Sequence, residues 1–387
     1  MVLVISGSGY CEYNSIVVTD AADERSAVPT TEGGGTNGTG SAPRLKDVAQ
    51  AAGVSIKTVS NVVNDSAHVA AETRSRVQRA IDELGYHPNA TARRLRTGRS
   101  GVIALAFPEL PSPYFAELAV EVIAAARRHG CTVLMDDTAG DPNAELRIAS
   151  GLGDPMIDGV ILSPLGLDQH ELAARKHKLP LVLLGEADFG LVCDHVHIDN
   201  VAAAREAVAH LIDSGYRRIA AIGWQDPTPR ATAQQRMAGY RQALEAAGLT
   251  TEPALIPPVR AYFRPDGAAA MRRLLKLPER PDAVFCFNDL MALGALRAVY
   301  EAGLRVPRDI ALVGFDDVEE AEYAIPALTT VAPDKTGIAE AAVDALLHRI
   351  AHGHAESGRL IQPGHRLVVR ESSRRVSESR PQPPAGA

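Results

Sequence analysis

The sequence has few cysteines, few aromatic residues and no long apolar run, and each shortage narrows the class of protein. Its four cysteines are scattered without metal-ligand spacing, which favours reduced thiols in a cytoplasmic protein over a disulfide framework. No apolar stretch approaches the roughly 18 residues that a membrane helix needs, so no membrane partner is expected. The N-terminus has no basic residue before its short apolar stretch, which argues against a secretory signal.

The common motifs of enzymes and cofactor sites are also missing. The sequence has neither a GxxxxGK[ST] phosphate loop nor a GxSxG nucleophile elbow. His348 and His352 lie four residues apart on a predicted helix, but no glutamate stands between them as in zinc proteases. We interpret them as an amphipathic helix end, and His195 and His197 as surface residues of a strand. The sequence therefore predicts no catalytic residue, no metal and no cofactor.

Charge is unevenly distributed along the chain. The net charge is −7, which by itself argues against a nucleic-acid partner. Residues 44–99, however, contain ten basic and five acidic residues, whereas residues 1–43 contain one basic and five acidic residues. A compact basic segment in an otherwise acidic chain is typical of a small polyanion-binding module attached to a larger domain.

Apolar patterning divides the 387 residues into five segments. Residues 1–43 and 371–387 are polar and rich in glycine or proline, so we expect them to be unfolded. Residues 44–87 show three short helical periods, and residues 88–99 form a short basic linker. Residues 100–370 alternate apolar strands with helices, which predicts parallel sheets covered on both faces. This length favours two α/β lobes over one.

The strands of the long segment are predicted from its short apolar runs. They are Val102–Phe107, Thr132–Asp136, Val160–Leu162, Leu181–Leu184, His197–Asp199, Ile219–Gly223, Ala283–Cys286 and Ile310–Phe315. Helical periods separate most of these runs, as crossover connections between parallel strands require.

The basic segment carries a helix-turn-helix pattern. Its first two helical periods join through Gly53, and glycine enters positive φ at no steric cost. Ser55 is a natural N-cap for the second helix, whose first residues would face base edges in a major groove. Lys57 can donate to guanine, Asn61 can pair with adenine, and Ile56 can contact a thymine methyl group. The pattern alone leaves open a plain three-helix bundle with a solvated basic face.

A longer run of motifs narrows that choice. Residues 44–98 contain DVAxxAGVS, TVSxVxN, ETRxRV and ELGYxPN. The run closely resembles the DNA-binding end of the lac repressor family of bacterial regulators, and the resemblance continues to Arg370. It implies an all-α helix-turn-helix module followed by two doubly wound α/β lobes, like those of periplasmic sugar-binding proteins. The family often has arginine where this chain has Asn61, so no known operator sequence transfers to it.

By the same resemblance, residues 89–95 form a hinge helix. A helix of about seven residues is marginal alone, so we expect it to fold only on DNA. Leu95 matches the family leucine that wedges into the minor groove, and the neighbouring arginines can neutralise phosphates. The candidate DNA-contacting residues are Ile56, Lys57, Thr58, Ser60, Asn61, Asn64, Asn89, Arg93 and Leu95.

Candidate ligand-binding residues follow the predicted strands, because open parallel sheets bind ligands beyond the carboxyl ends of their strands. Arg230, Asn288 and Asp316 each come shortly after a different strand. The resemblance matches Arg230 and Asp316 to positions that clamp the family's effector. The full candidate set is Tyr114, Phe115, Arg230, Thr232, Phe263, Asn288 and Asp316.

The resemblance implies a homodimeric transcriptional regulator, by expectation a repressor. Its partners would be a near-palindromic double-stranded DNA operator, because two-fold symmetry presents two half-site readers, and a small effector such as a carbohydrate. The alternative is a carbohydrate-binding protein without a role in gene regulation. The basic segment and the missing signal disfavour that alternative, and no acid–base or nucleophile constellation supports an enzyme.

Overall fold

The computed structural model describes residues 3–6, 43–63, 69–86, 99–151, 156–175, 179–186, 189–190, 192–225, 230–353 and 357–375. These residues form two compact units. One lies within residues 8–100, and the other comprises residues 101–387 together with an N-terminal strand. The predicted hinge helix, residues 89–95, lies outside the described residues. No helix in the described ranges is long and apolar enough to cross a membrane.

The smaller unit is a three-helix helix-turn-helix domain. Its helices are α1 (Leu45–Ala52), α2 (Ile56–Val63) and α3 (Ala71–Leu84). Gly53 has a φ of 61°, which ends α1 in the left-handed region and turns the chain into α2. The apolar faces of the three helices meet in one buried core, formed by Val48, Ala49, Ala52, Val59, Val62, Val77, Ala80 and Tyr86. The predicted helix-turn-helix fold is therefore confirmed.

The first lobe of the larger unit is built on a parallel sheet. Its strands are β1 (Leu3–Ser6), β2 (Val102–Phe107), β3 (Thr132–Asp137), β4 (Gly159–Leu162), β5 (Leu181–Leu184), β6 (Asp194–Val196) and β11 (Leu360–Ile361). They are ordered β1-β3-β2-β4-β5-β6-β11. Its helices are α4 (Pro113–Arg128), α5 (Pro142–Ala149), α6 (Gln169–Ala174) and α12 (Lys335–His352). The strands β4 and β5 are wholly buried, as strands covered on both faces should be.

The second lobe is built on a smaller sheet. Its strands are β7 (Ile219–Ile222), β8 (Ala283–Cys286), β9 (Ala311–Phe315), β10 (Thr329–Pro333) and β12 (His365–Val368). They are ordered β12-β10-β9-β8-β7, with β12 antiparallel at one edge. Its helices are α7 (Asn200–Asp213), α8 (Ala231–Ala246), α9 (Arg264–Leu274), α10 (Asp289–Glu301) and α11 (Glu319–Tyr323). The two-lobed α/β architecture predicted from the sequence is confirmed.

The chain passes between the lobes at three places. It leaves the first lobe after β6, returns between β10 and α12, and leaves again between β11 and β12. The lobes are thus joined by several short connections rather than by one linker. The same connections bring the carboxyl ends of strands from both sheets to a common cleft, which is where open α/β sheets bind ligands.

One strand lies earlier than the apolar pattern predicts. The expected strand at His197–Asp199 is wrong, because the paired strand is β6, Asp194–Val196. His195 is buried in it, and its Nε2 lies 2.5 Å from the Gly185 carbonyl oxygen, so it is not a surface residue. A strand that begins with a buried carboxylate escapes a search for apolar runs.

The expected unfolded ends also differ from the structure. Residues 3–6, inside the segment 1–43, form β1 and pair in parallel with β3. An edge strand leaves backbone groups free to pair with another strand, which accounts for this addition. At the other end, Glu371–Ser373 form a short 3-10 helix, although the segment 371–387 was expected to be unfolded. The Ser372 hydroxyl is buried and donates to the Leu312 carbonyl at 2.7 Å, which ties this segment to β9.

A buried ion cluster joins the edge of the first sheet to α12. Asp194 is fully buried, and its carboxylate accepts hydrogen bonds from Arg349 at 2.8 Å and from Arg359 at 2.9 Å. Burial alone would raise the pKa of Asp194, but these hydrogen bonds outweigh it and lower the pKa to about 2. Removing the Asp194 carboxylate would leave the buried Arg349 guanidinium without its counter-charge.

We expect Asp194→Asn to lower the free energy of unfolding by about 3 kcal/mol at pH 7, since breaking a buried pair costs roughly 3–5 kcal/mol. The folded-state pKa lies below the ordinary value of 3.8, so this stabilisation is present above that pH and is lost as the pH falls towards 2. Urea unfolding of both proteins between pH 8 and pH 3 measures the difference. The exposed Asp344→Asn, on the same helix as Arg349, is the control. Equal losses in both variants would contradict the assignment.

Candidate functional site

The first candidate site is the N-terminal end of α2. The Ser55 hydroxyl accepts a hydrogen bond from the Thr58 backbone N–H at 3.1 Å, and so caps the helix. Val59 faces the core and is buried, whereas Ile56 and Lys57 are exposed, Ile56 to 55%. An exposed isoleucine beside a lysine at a capped helix end can contact a thymine methyl group and a guanine in one groove.

The other predicted DNA-contacting residues are less exposed or not described. Ser60 and Asn61 are partly buried on α2, and the Thr58 hydroxyl lies 2.8 Å from that of Ser55, so its observed contact is within the cap. The predicted residues outside the described ranges are Asn64, Asn89, Arg93 and Leu95. For all nine residues, contact with DNA stays a prediction.

The second candidate site is a cavity of about 170 Å³ between the lobes of the larger unit. It is lined from the first lobe by residues after β2, β4 and β5, and from the second lobe by residues after β7, β8 and β9. Six of the seven predicted effector-binding residues line it: Tyr114, Phe115, Arg230, Thr232, Asn288 and Asp316. The structure therefore brings together side chains that lie far apart in the sequence, and their binding role stays a prediction.

The seventh residue, Phe263, does not line the cavity, and its neighbour Tyr262 does. The Tyr262 hydroxyl donates to the Gly223 carbonyl at 2.8 Å, which holds the ring on the cavity side. Asn288 also fixes this segment, because its Nδ2 donates to the Tyr262 carbonyl at 2.9 Å while its Oδ1 caps α10 at Met291. Tyr262 rather than Phe263 therefore lines the cavity, and effector binding by Phe263 stays a prediction.

Asp316 stands at the end of β9 in an unusual environment. Its φ of 115° is rare for a residue with a side chain, and such conformations cost about 1–3 kcal/mol. The side chain is buried, with the Arg236 guanidinium 4.0 Å away. Burial raises the pKa of Asp316 to about 7, although Arg236 and Lys335 each lower it. Strain and a displaced pKa at one cavity residue are typical of a functional site.

Arg236 is held by three contacts with the second lobe. Its Nε donates to the Asn200 side-chain oxygen at 2.7 Å, its Nη1 donates to the Phe287 carbonyl, and its guanidinium carbon lies 3.5 Å from the centre of the Phe315 ring. Phe287 and Phe315 are themselves fully buried, so they belong to the core rather than to the cavity wall. Arg236 thus presents a fixed positive charge at the cavity floor.

Arg230 reaches across the cleft at the cavity mouth. It precedes α8 in the second lobe, and its Nη1 lies 3.9 Å from the Glu109 carboxylate of the first lobe. Burial raises the pKa of Glu109 above its ordinary value, and the nearby Arg230 offsets only part of that increase. Arg230 is about half exposed, so a ligand can reach its guanidinium group from solvent. A ligand there would lie next to Glu109 of the opposite lobe.

Sequence reasoning missed several cavity residues, among them Glu109, Glu186 and His197. Glu186 comes two residues after β5, so the rule applied to Asn288 and Asp316 could have found it. Its carboxylate accepts hydrogen bonds from Thr232 at 2.7 Å and from Asn200 at 2.9 Å. His197 had been placed inside a strand, and the earlier position of β6 leaves it at the strand end instead.

The histidine pair on α12 is arranged as a helix end. The rings of His348 and His352 stack with centroids 4.3 Å apart, and His352 Nδ1 lies 2.9 Å from the His348 carbonyl. In the described ranges, no group of three or more histidine, cysteine, aspartate or glutamate residues is arranged to hold a metal ion.

A helix-turn-helix domain and a two-lobed unit with a cleft cavity together define a DNA-binding regulator of the periplasmic-binding-protein-like class. Residues 44–89 match the bacterial regulatory proteins of the lacI family, and residues 208–373 match the periplasmic binding protein-like domain. The HTH-type transcriptional repressor PurR of Mannheimia succiniciproducens is 34% identical over 336 residues, covering 86% of this chain and 99% of the repressor.

Two solved structures extend the comparison. The transcriptional regulator CelR in complex with cellobiose is 34% identical with a TM-score of 0.62, over 85% of this chain and 99% of that one. The lac repressor dimer bound to operator and the anti-inducer ONPF is 28% identical with a TM-score of 0.70, over 86% and 99%. The chain belongs to the lacI family of bacterial regulatory proteins. The family and the regulatory class expected from the sequence are confirmed.

We expect Asp316→Asn to remove a pH dependence of stability. Asp316 keeps its proton up to about pH 7 when folded but loses it near 3.8 when unfolded, so unfolding releases a proton in this window. The free energy of unfolding of the unsubstituted protein should therefore fall, relative to the variant, by on the order of 3 kcal/mol between pH 4 and pH 7. Urea unfolding across this range measures it. Parallel profiles would show that Asp316 ionises normally.

Proposed function

We propose that this chain is a transcriptional repressor whose affinity for an operator is controlled by a small molecule bound between its two lobes. Two features of the same chain carry the proposal. The N-terminal end of α2 exposes Ile56 and Lys57, and a polar cavity between the lobes is lined by residues of both. The effector we propose is a carbohydrate or a close derivative. The family's relatives named above are transcriptional regulators, which supports a regulatory rather than an enzymatic role.

The DNA side of the proposal rests on α2. Ile56 and Lys57 would read base edges in the major groove, and Asn61 would add a third contact. The segment 88–99 would act as the hinge, with Leu95 as a minor-groove wedge that orders only on the duplex. The solved lac repressor structure, a dimer bound to its operator, supports operator binding by this chain. With a DNA operator as its partner, the protein would act in the cytoplasm.

A homodimer follows from the proposed operator. Two copies of α2 related by two-fold symmetry would read two half-sites of a near-palindromic sequence. Tyr323 and Ile325 are 74% and 92% exposed, close together in the second lobe. Large apolar side chains this exposed favour burial against a partner surface, and we propose a second copy as that partner.

The effector side rests on the chemistry of the cavity. Tyr114, Phe115 and Tyr262 offer flat apolar surfaces, and carboxylates and guanidinium groups surround them. The complex of the relative CelR with cellobiose supports a carbohydrate. Because the ligand would contact both lobes, it would favour one lobe arrangement over another. It would change operator affinity only through that difference.

Lys57→Ala should lower the affinity for the operator about ten- to a hundredfold and relax the choice of base at one position, because one base contact is worth roughly 1–3 kcal/mol. The operator is first selected from random DNA with the unsubstituted protein. Fluorescence anisotropy at several salt concentrations then measures specific and non-specific binding. Arg79→Ala removes the same charge from the exposed face of α3 and should leave base preference unchanged. Unaltered base preference in Lys57→Ala would contradict the role of α2.

Arg230→Ala should leave operator affinity within about threefold, because Arg230 is not part of the helix α2 that would contact DNA. It should weaken the effector response at least about tenfold, because the lost guanidinium group lies at the mouth of the cavity. The response is measured as the effector concentration at which half of the total change in operator binding has occurred. Arg297→Ala, which removes a surface arginine paired with Glu301, is the matched control. If the Arg230 variant responded normally, the effector site would have to lie elsewhere.

A further inference from the structure

Within the described ranges, one carboxylate in the cavity has no close ion-pair partner. It contains the carboxylates of Glu109, Glu186 and Asp316 and the guanidinium groups of Arg230 and Arg236. Glu109 faces Arg230 at 3.9 Å, and Asp316 faces Arg236 at 4.0 Å. Glu186 has no lysine, arginine or histidine nitrogen within 4.0 Å among the residues that the structure describes. In the described part of the chain, Glu186 is therefore the cavity carboxylate without a nearby cationic nitrogen.

Glu186 is nevertheless held firmly, by neutral donors only. Thr232 Oγ1 donates to one carboxylate oxygen at 2.7 Å, and Asn200 Nδ2 donates to the other at 2.9 Å. Gln235 Nε2 donates to the Glu186 backbone carbonyl at 3.2 Å. Glu186 follows β5 in the first lobe, whereas all three donors belong to α7 and α8 in the second. The carboxylate is thus fixed across the cleft without its charge being neutralised.

Neither cavity arginine pairs with Glu186. Arg236 stacks on Phe315 and donates to Asn200 and to the Phe287 carbonyl. Arg230 lies at the mouth with Glu109. A ligand that enters the cavity therefore meets a fixed negative group in Glu186, which has lone pairs to accept hydrogen bonds but nothing to donate.

We propose that Glu186 sets the ligand class of the cavity, so that it selects uncharged, hydroxyl-bearing molecules and rejects their phosphorylated counterparts. This inference rests on the proposed function, because it assumes that the effector binds in this cavity. A sugar or nucleoside hydroxyl donates a charge-assisted hydrogen bond to the carboxylate, while a phosphate placed there meets a like charge in a partly desolvated site. Rejection by a like charge is a common source of selectivity.

The test uses the full chain and matched pairs of ligands: ribose and ribose 5-phosphate, glucose and glucose 6-phosphate, cytidine and cytidine 5′-monophosphate. Isothermal titration calorimetry measures the affinity of each. We expect at least one uncharged member to bind, and to bind at least about tenfold more tightly than its phosphorylated partner. Glu186→Gln keeps the size of the side chain and removes the charge, and should reduce this ratio at least about tenfold. Glu186→Asp keeps the charge and should preserve the preference.

The possible outcomes separate the two proposals. Equal binding of a pair, or a ratio unchanged in Glu186→Gln, would overturn the role of Glu186 and leave effector binding in the cavity intact. If no compound of either kind bound, both the carbohydrate class of the effector and the selection by Glu186 would be contradicted, while operator binding would still be tested by Lys57→Ala. Thermal unfolding of each variant, compared with the unsubstituted protein, confirms that a lost affinity is not a lost fold.

Discussion

Both lobes depend on one constraint, which is that a parallel sheet covered by helices can present polar side chains only where its strands end. The strands β4, β5, β7, β8 and β9 are wholly buried along their length. Glu186, Asn288 and Asp316 each stand one or two residues beyond such a strand, and all three line the same cavity. The apolar strands make the lobes stable, and their ends hold the groups that can recognise a ligand.

The lobes meet through polar contacts in and around this cavity. Glu109 faces Arg230 across the mouth, and Glu186 accepts from Thr232 deeper in the cleft. The Glu319 backbone N–H of the second lobe also donates to the Glu117 carboxylate of the first lobe at 3.0 Å. Polar contacts of this kind can be exchanged for contacts with a ligand at small net cost, whereas a packed apolar interface cannot. The cleft is therefore suited to a change of lobe arrangement that depends on the ligand.

Much of the fold could be predicted because its signals are local. The apolar run Ala283–Cys286 is a strand with the predicted bounds, and the capping serine and the Gly53 turn place α2 where the pattern expects it. The misplaced strand β6 has a clear physical origin. The strand β6 begins with Asp194, whose burial is possible only because arginines from α12 and from the segment before β11 surround it. No apolar pattern within the strand itself could reveal those partners.

The sequence by itself determined the family, the order of the domains and the position of most strand ends, since helical periods, turn residues and motif runs are properties of neighbouring residues. Only the tertiary structure decided that Tyr262 rather than Phe263 faces the cavity, and that the described partners of the Glu186 carboxylate are neutral. Those outcomes depend on contacts between segments far apart in the chain; Glu186 and Thr232 are separated by 46 positions and lie in different lobes. Local patterning says where a strand ends, but the packing of the two sheets decides which ends meet.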